Sequence, residues 1–208
     1  MESKIKKSIV EDVVIFDETE PTGAQSLAPD YSARAEYQSS ALPKRGVAMQ
    51  QDNLQRQVEE FLFYQSELLD EQQWEAYVDL FADDGVYWVP VTPEQTEWLD
   101  SPSIFAEDKH LMQVRTQRLV HPNAWSQAAE WGLSHVVGNV VIESQSEDTI
   151  CSRARFQMME LRRDAVRHFA GTYRHTLVRE GGDFKIQLQR VDLMNAQAPF
   201  DYVLQAWL

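Results

Sequence analysis

Apolar positions along the chain fall into two rhythms. From Val58 they recur at helical spacing, with Val58, Phe61, Leu62, Leu68 and Leu69 on one stripe. Trp74, Tyr77, Val78 and Phe81 repeat at i, i+3, i+4 and i+7 and predict a second amphipathic helix, with the break between the two at Asp70-Glu71. Asp83-Asp84-Gly85 is expected to end that helix and turn the chain. Val86 to Val91 then reads as a strand stopped by Pro90 and Pro93, and residues 92–107 as a loop. A third helix is predicted from Glu107 to Leu119, ended by His121-Pro122.

Beyond that point the rhythm changes to period two. Leu133 to Glu143 reads as a strand, and Ile150 to Leu161 as another with Ala154, Phe156 and Met158 on one face. His168 to Val178 places Phe169, Gly171, Tyr173, His175 and Leu177 on one face, and Gly181-Gly182 marks a hairpin turn. Phe184, Ile186 and Leu188 share a parity that Val191 and Leu193 reverse, which predicts a bulge near Gln189-Arg190. Helices first and an antiparallel meander afterwards make an α+β roll. Residues 1–50 are poor in periodicity and read as an extended or disordered arm, although Ile9, Val10, Val13, Val14, Ile15 and Phe16 form an apolar patch able to dock as a strand. The folded domain is expected over 51–208.

Charge sharpens this outline. Between Gln57 and Asp108 there are fourteen Asp or Glu and neither Lys nor Arg, which equals the whole net charge of −14. Residues 109–208 carry twelve basic and ten acidic side chains. An anionic balance with no basic cluster argues against nucleic acid and against an anionic membrane surface. No run of about 18 apolar residues predicts a membrane span, and Glu11 with Asp12 interrupts the apolar stretch a secretory segment needs. The one cysteine, Cys151, rules out an intrachain disulfide and fits a reducing cytoplasm.

The residues next allow a resemblance to be stated. FLFYQSELLDEQQWEAYVDLFADDGVYWVP, HLMQVRTQRLVHPNAW, SHVVGNVVIE, RHFAGTYRHTLVREGGDFKIQLQRVDLMN and the ending VLQAWL follow in order over about Asn53 to Leu208. In that order the chain resembles the small (beta) subunit of Rieske non-haem iron aromatic-ring-hydroxylating dioxygenases. The resemblance implies a cone-shaped roll like those of scytalone dehydratase and nuclear transport factor 2. It also implies a mainly structural role in an α3β3 hexamer, with the small subunits self-associating as a trimer. The Rieske [2Fe–2S] cluster and Fe(II) would then lie in the large (alpha) subunit, leaving no cofactor in this chain. The arm is longer than the family pattern leads one to expect.

Catalytic chemistry within this chain has little to work with. A Rieske centre needs two Cys and two His, and Cys151 stands alone. His168 and His175, seven apart on one strand, point to opposite faces. His110 and His121 would lie roughly 16 Å apart along a helix. Rolls of this kind can host an acid–base pair, for which Asp84, Tyr87, His110 and His135 are the candidates, Asp84 with His135 being the weak catalytic alternative of a stand-alone dehydratase or isomerase. Turn and sheet roles are the plainer readings of Asp83, Asp84 and His135. Arg153, Arg155, Arg162, Arg163, Arg167 and Arg174 form either a solvated face or an interface. The apolar tail ending in Trp207 and Leu208 should bury itself in its own core or in a neighbour.

Overall fold

A computed structural model of the chain describes residues 45–99, 101–119, 121, 131–162, 164–198, 200, 204 and 206–208. The arm at residues 1–44, its apolar patch, Pro122 and Arg163 lie outside the described residues. Helix α1 spans Arg45–Asp70, beginning ahead of the expected Gln51. Leu54, Val58, Leu62 and Leu69 bury its apolar stripe. It ends where the break was expected. The N–H of Gln73 bonds Leu68 O at 2.7 Å and that of Gln72 bonds Leu69 O at 3.1 Å, with Gln72 at φ 59°. This is a Schellman-type stop, with a glutamine in the left-handed position that glycine usually takes.

Helix α2 covers only Trp74–Asp79, and Phe81 opens strand β1, Phe81–Pro90. The helical spacing of Phe81 was misleading, because the same residue buries equally well as the first position of a strand. Asp83-Asp84-Gly85 is likewise not a helix stop but a bulge inside β1. Phe81 pairs with Ile186 and Val86 with Leu188, so extra residues loop out between them and Asp83 and Asp84 are exposed. Glycine is required there, since a Cβ at Gly85 would lie 2.6 Å from Ile186 O. The expected loop at 92–107 contains strand β2, Ser103–Asp108, antiparallel to β1. Helix α3 therefore starts at Lys109 rather than Glu107 and runs to Leu119.

Four long strands follow: β3 Trp131–Gln145, β4 Thr149–Arg162, β5 Ala165–Glu180 and β6 Asp183–Leu193. The sheet order is β2-β1-β6-β5-β4-β3, antiparallel throughout except for the parallel β1–β6 pair. The expected faces of β4 and β5 hold: Ala154, Phe156, Met158, Phe169, Tyr173, His175 and Leu177 are buried. Phe156 and Tyr173 stack with ring centres 4.1 Å apart. Gly181 and Gly182 make the β5–β6 turn at φ 62° and 102°, as a primed two-residue hairpin needs. The bulge of β6 sits earlier than expected. Thr176 pairs with Leu188 and Leu177 with Ile186, which leaves Gln187 as the extra residue. A further bulge, at Asn139 (φ 53°), bends β3 and had no signal in the apolar pattern. The result is an α+β fold with helices packed on one face of a mainly antiparallel sheet.

Candidate assembly surface and polar interior

The proposed partners for acid–base chemistry do not converge. Asp84 is exposed on the β1 bulge, with Gln187 Nε2 3.5 Å from its Oδ2. His110 is exposed on α3, whereas Tyr87 is fully buried. His135, with a buried side chain, has a different carboxylate. Its backbone N–H donates to Asp70 Oδ2 at 2.9 Å, and its ring Nδ1 lies 2.5 Å from Asp70 Oδ1. Asp84 and His135 thus have different surroundings: the first faces water, and the ring of the second lies against Asp70 at the end of α1. Asp83 pairs with Lys109 at 3.3 Å, and Lys109 Nζ also donates to Phe81 O at 2.7 Å, closing the bulge. Among the described residues no three His, Cys, Asp or Glu side chains gather as a metal site.

The tail completes the interior. Trp207 and Leu208, set out above as interface candidates, are buried in the chain's own core. Trp207 packs 5.2 Å from Tyr77 between ring centres, and its Nε1 donates to Glu107 Oε2 at 3.1 Å. The Leu208 N–H donates to the hydroxyl of Tyr87 at 2.9 Å. Glu107 also receives Arg115 Nε at 2.8 Å, so this buried carboxylate is paired as buried charge requires. Burial of the phenols raises Tyr77, Tyr87 and Tyr173 well above the ordinary range, and burial lowers His175 to about 3.

The arginines divide into two groups rather than forming one patch. Arg153, Arg174 and Arg190 stand opposite one another on β4, β5 and β6. Glu143 bridges Arg153 (2.8 Å) and Arg174 (3.1 Å), while Asp192 bridges Arg174 (3.3 Å) and Arg190 (2.7 Å). Arg190 also donates to Pro93 O at 2.8 Å and lies 4.6 Å above the Trp88 ring, which ties the loop after β1 to the sheet. Arg155 donates to Thr172 Oγ1 at 2.6 Å. Arg162 lies on β4 nine positions beyond Arg153, about 30 Å along the strand. Arg167, near it on β5, faces the buried Glu160 at 3.6 Å. By strand alternation Arg162 and Arg167 fall on the opposite face from Arg153 and Arg174. The outer face also exposes large apolar side chains. Val136, Met159, Leu161 and Val166 are 68%, 46%, 45% and 54% exposed. Met159 lines a groove of about 340 Å³ with Ser134, Val136, His168 and Met194.

Residues 65–199 match the model of the ring hydroxylating beta subunit family. The chain belongs to that family. The beta subunit of toluate 1,2-dioxygenase from Pseudomonas putida is 26% identical over 153 residues, covering 71% of this chain and 91% of the relative. Among solved structures, the beta subunit of the benzoate 1,2-dioxygenase from Burkholderia mallei is 25% identical with a TM-score of 0.58, covering 71% of this chain and 95% of that one. Naphthalene 1,2-dioxygenase with indole bound shares the fold at 19% identity and a TM-score of 0.65, covering 76% and 86%. The resemblance read from the sequence is therefore correct in family and in fold.

For this beta subunit, sequence reasoning missed Asp70 and the buried polar side chains of the inner sheet face. Asp70 was visible only as a helix stop, since its partner lies 65 residues away. Ser152 and Gln189 look like ordinary polar positions until the strand pairing places them beside His175.

Proposed function

We propose that this beta subunit is the non-catalytic base of a multicomponent aromatic-ring-hydroxylating dioxygenase, assembled with large (alpha) subunits as α3β3. On this reading the Rieske [2Fe–2S] cluster and the Fe(II) belong to the large subunit, because one cysteine supplies half of the thiolates that a Rieske set requires. Ring choice also belongs there. The toluate and benzoate enzymes among the relatives make an aromatic carboxylate the first substrate to try. A cytoplasmic location fits the single free thiol, Cys151.

The observation that carries the reading is family membership joined to an exposed apolar patch on the outer sheet face. Val136, Met159, Leu161 and Val166 would form the apolar centre of a subunit interface. Arg153, Arg155 and Arg174 would form its polar rim. Trp207 and Leu208 have no part in that surface because they are spent on the core.

Co-expression with an adjacent large oxygenase chain tests this directly. The two should co-purify as one particle of the α3β3 mass that oxidises benzoate with O2, NADH, ferredoxin and a ferredoxin reductase. This chain alone should give no product. Turnover by the isolated chain, or failure to bind any large subunit, would overturn the reading.

A further inference from the structure

Strand pairing lines up a row of buried polar residues across the inner face of the sheet. Ser152 on β4 faces His175 on β5, and His175 faces Gln189 on β6. Gln189 pairs with Tyr87 on β1, and Tyr87 with Glu107 on β2. All five are buried, beside a large cluster of apolar side chains.

The two ends of the row differ. At the β1–β2 end every group is engaged: Tyr87 with the Leu208 N–H, and Glu107 with Arg115 and Trp207. Gln189 Oε1 accepts from the Tyr77 hydroxyl at 2.9 Å. Toward β4 the pairing stops. Ser152 Oγ, both ring nitrogens of His175 and Gln189 Nε2 are buried and find no hydrogen-bond partner among the described residues. The hydroxyl of Tyr173 and Oε1 of Gln65 are in the same condition, and the Tyr173 ring stands edge-on 5.8 Å from His175. Several adjacent buried polar groups left unpaired would be far costlier than an apolar row of the same shape. Donors and acceptors are both present, and no charged side chain bonds to any of the three. The complement of such a set is a small neutral molecule that donates and accepts in about equal measure, typically through about three hydrogen bonds.

We propose that Ser152, His175 and Gln189 form a binding site for internal water, which carries the hydrogen-bonded row on from Tyr87 to β4. Water held there pairs the inner-face polar groups without introducing charge. It also penalises a one-residue slip of β4, β5 or β6, which would turn that strand's member of the row to the outer face.

Crystals of the full chain in its oxygenase complex, diffracting well enough to order solvent, give the first test. Discrete water density within hydrogen-bond distance of at least two of the three side chains is expected. A dry row, or density for a larger molecule, overturns the proposal. Ser152→Ala gives the second, since it removes one partner and leaves the volume nearly unchanged. Its melting temperature should fall by about 2–4 °C, and water oxygen-17 relaxation dispersion should report fewer long-lived waters than in the wild type. A melting temperature that holds or rises, with the same count of long-lived waters, would show that the hydroxyl had been buried dry and would sink the idea.

Discussion

His175 shows how far burial alone can tune a side chain. It lies on the inner face of β5 with no charge beside it to favour protonation, and burial lowers it from 6.5 to about 3. The unfolded chain takes up a proton at this residue as pH falls through about 6.5, whereas the folded chain refuses it until about pH 3. Its contribution to stability is therefore complete above the upper value and is lost toward the lower one, at about 1.4 kcal/mol per pH unit. Urea unfolding at a series of pH values should show the wild type weakening faster than His175→Gln between pH 6 and pH 4. Parallel curves for the two proteins would mean that His175 titrates normally in the fold. Acid sensitivity of this origin is a property of the core and says nothing about turnover.

At the scale of elements, the joint between α1 and β3 rests on one carboxylate. Asp70 is the last residue of its helix, where the macrodipole disfavours an anion. It stays because it accepts both the backbone N–H and the ring Nδ1 of His135. Asp70→Ala leaves two buried groups unpaired and should cost about 1–3 kcal/mol. In a His135→Ala background the same change should cost about 1 kcal/mol less, since the ring contact is already gone. A double-mutant cycle by chemical denaturation measures the difference, and strict additivity would refute the coupling. This joint also marks the limit of what the sequence could disclose. Helical spacing over Val58–Leu69 and alternation over Ile150–Val178 were legible because each element buries one face over many residues. Strand β2 was not, because six residues near Pro102 with few buried positions look like loop. The Asp70–His135 contact was not legible either, because only tertiary folding decides which carboxylate reaches an imidazole.

For the whole molecule the question is which part of the outer face would supply affinity in the proposed assembly. The arginine row is the conspicuous feature, but Glu143 and Asp192 already pair its members. Exposed ion pairs of this kind are worth about 0–1 kcal/mol, and salt screens them further. Apolar surface returns about 25 cal/mol for each Å² buried, so Val136, Met159, Leu161 and Val166 outweigh the row once a partner covers them. The row then fixes orientation, and the apolar patch holds the subunits together. Leu161→Asp places a charge in that patch, where residues at the centre of an interface can each matter by 2 kcal/mol or more, about 30-fold in affinity. Sedimentation velocity of the complex should show dissociation at concentrations where the wild type stays assembled, while the melting temperature of the isolated variant chain stays close to that of the parent. Arg174→Gln should weaken assembly far less, and raised salt should narrow the gap between it and the wild type. If instead Arg174→Gln dissociates the complex and Leu161→Asp leaves it intact, the interface is electrostatic or lies elsewhere, and the outer sheet face loses its claim as the apolar centre of the assembly.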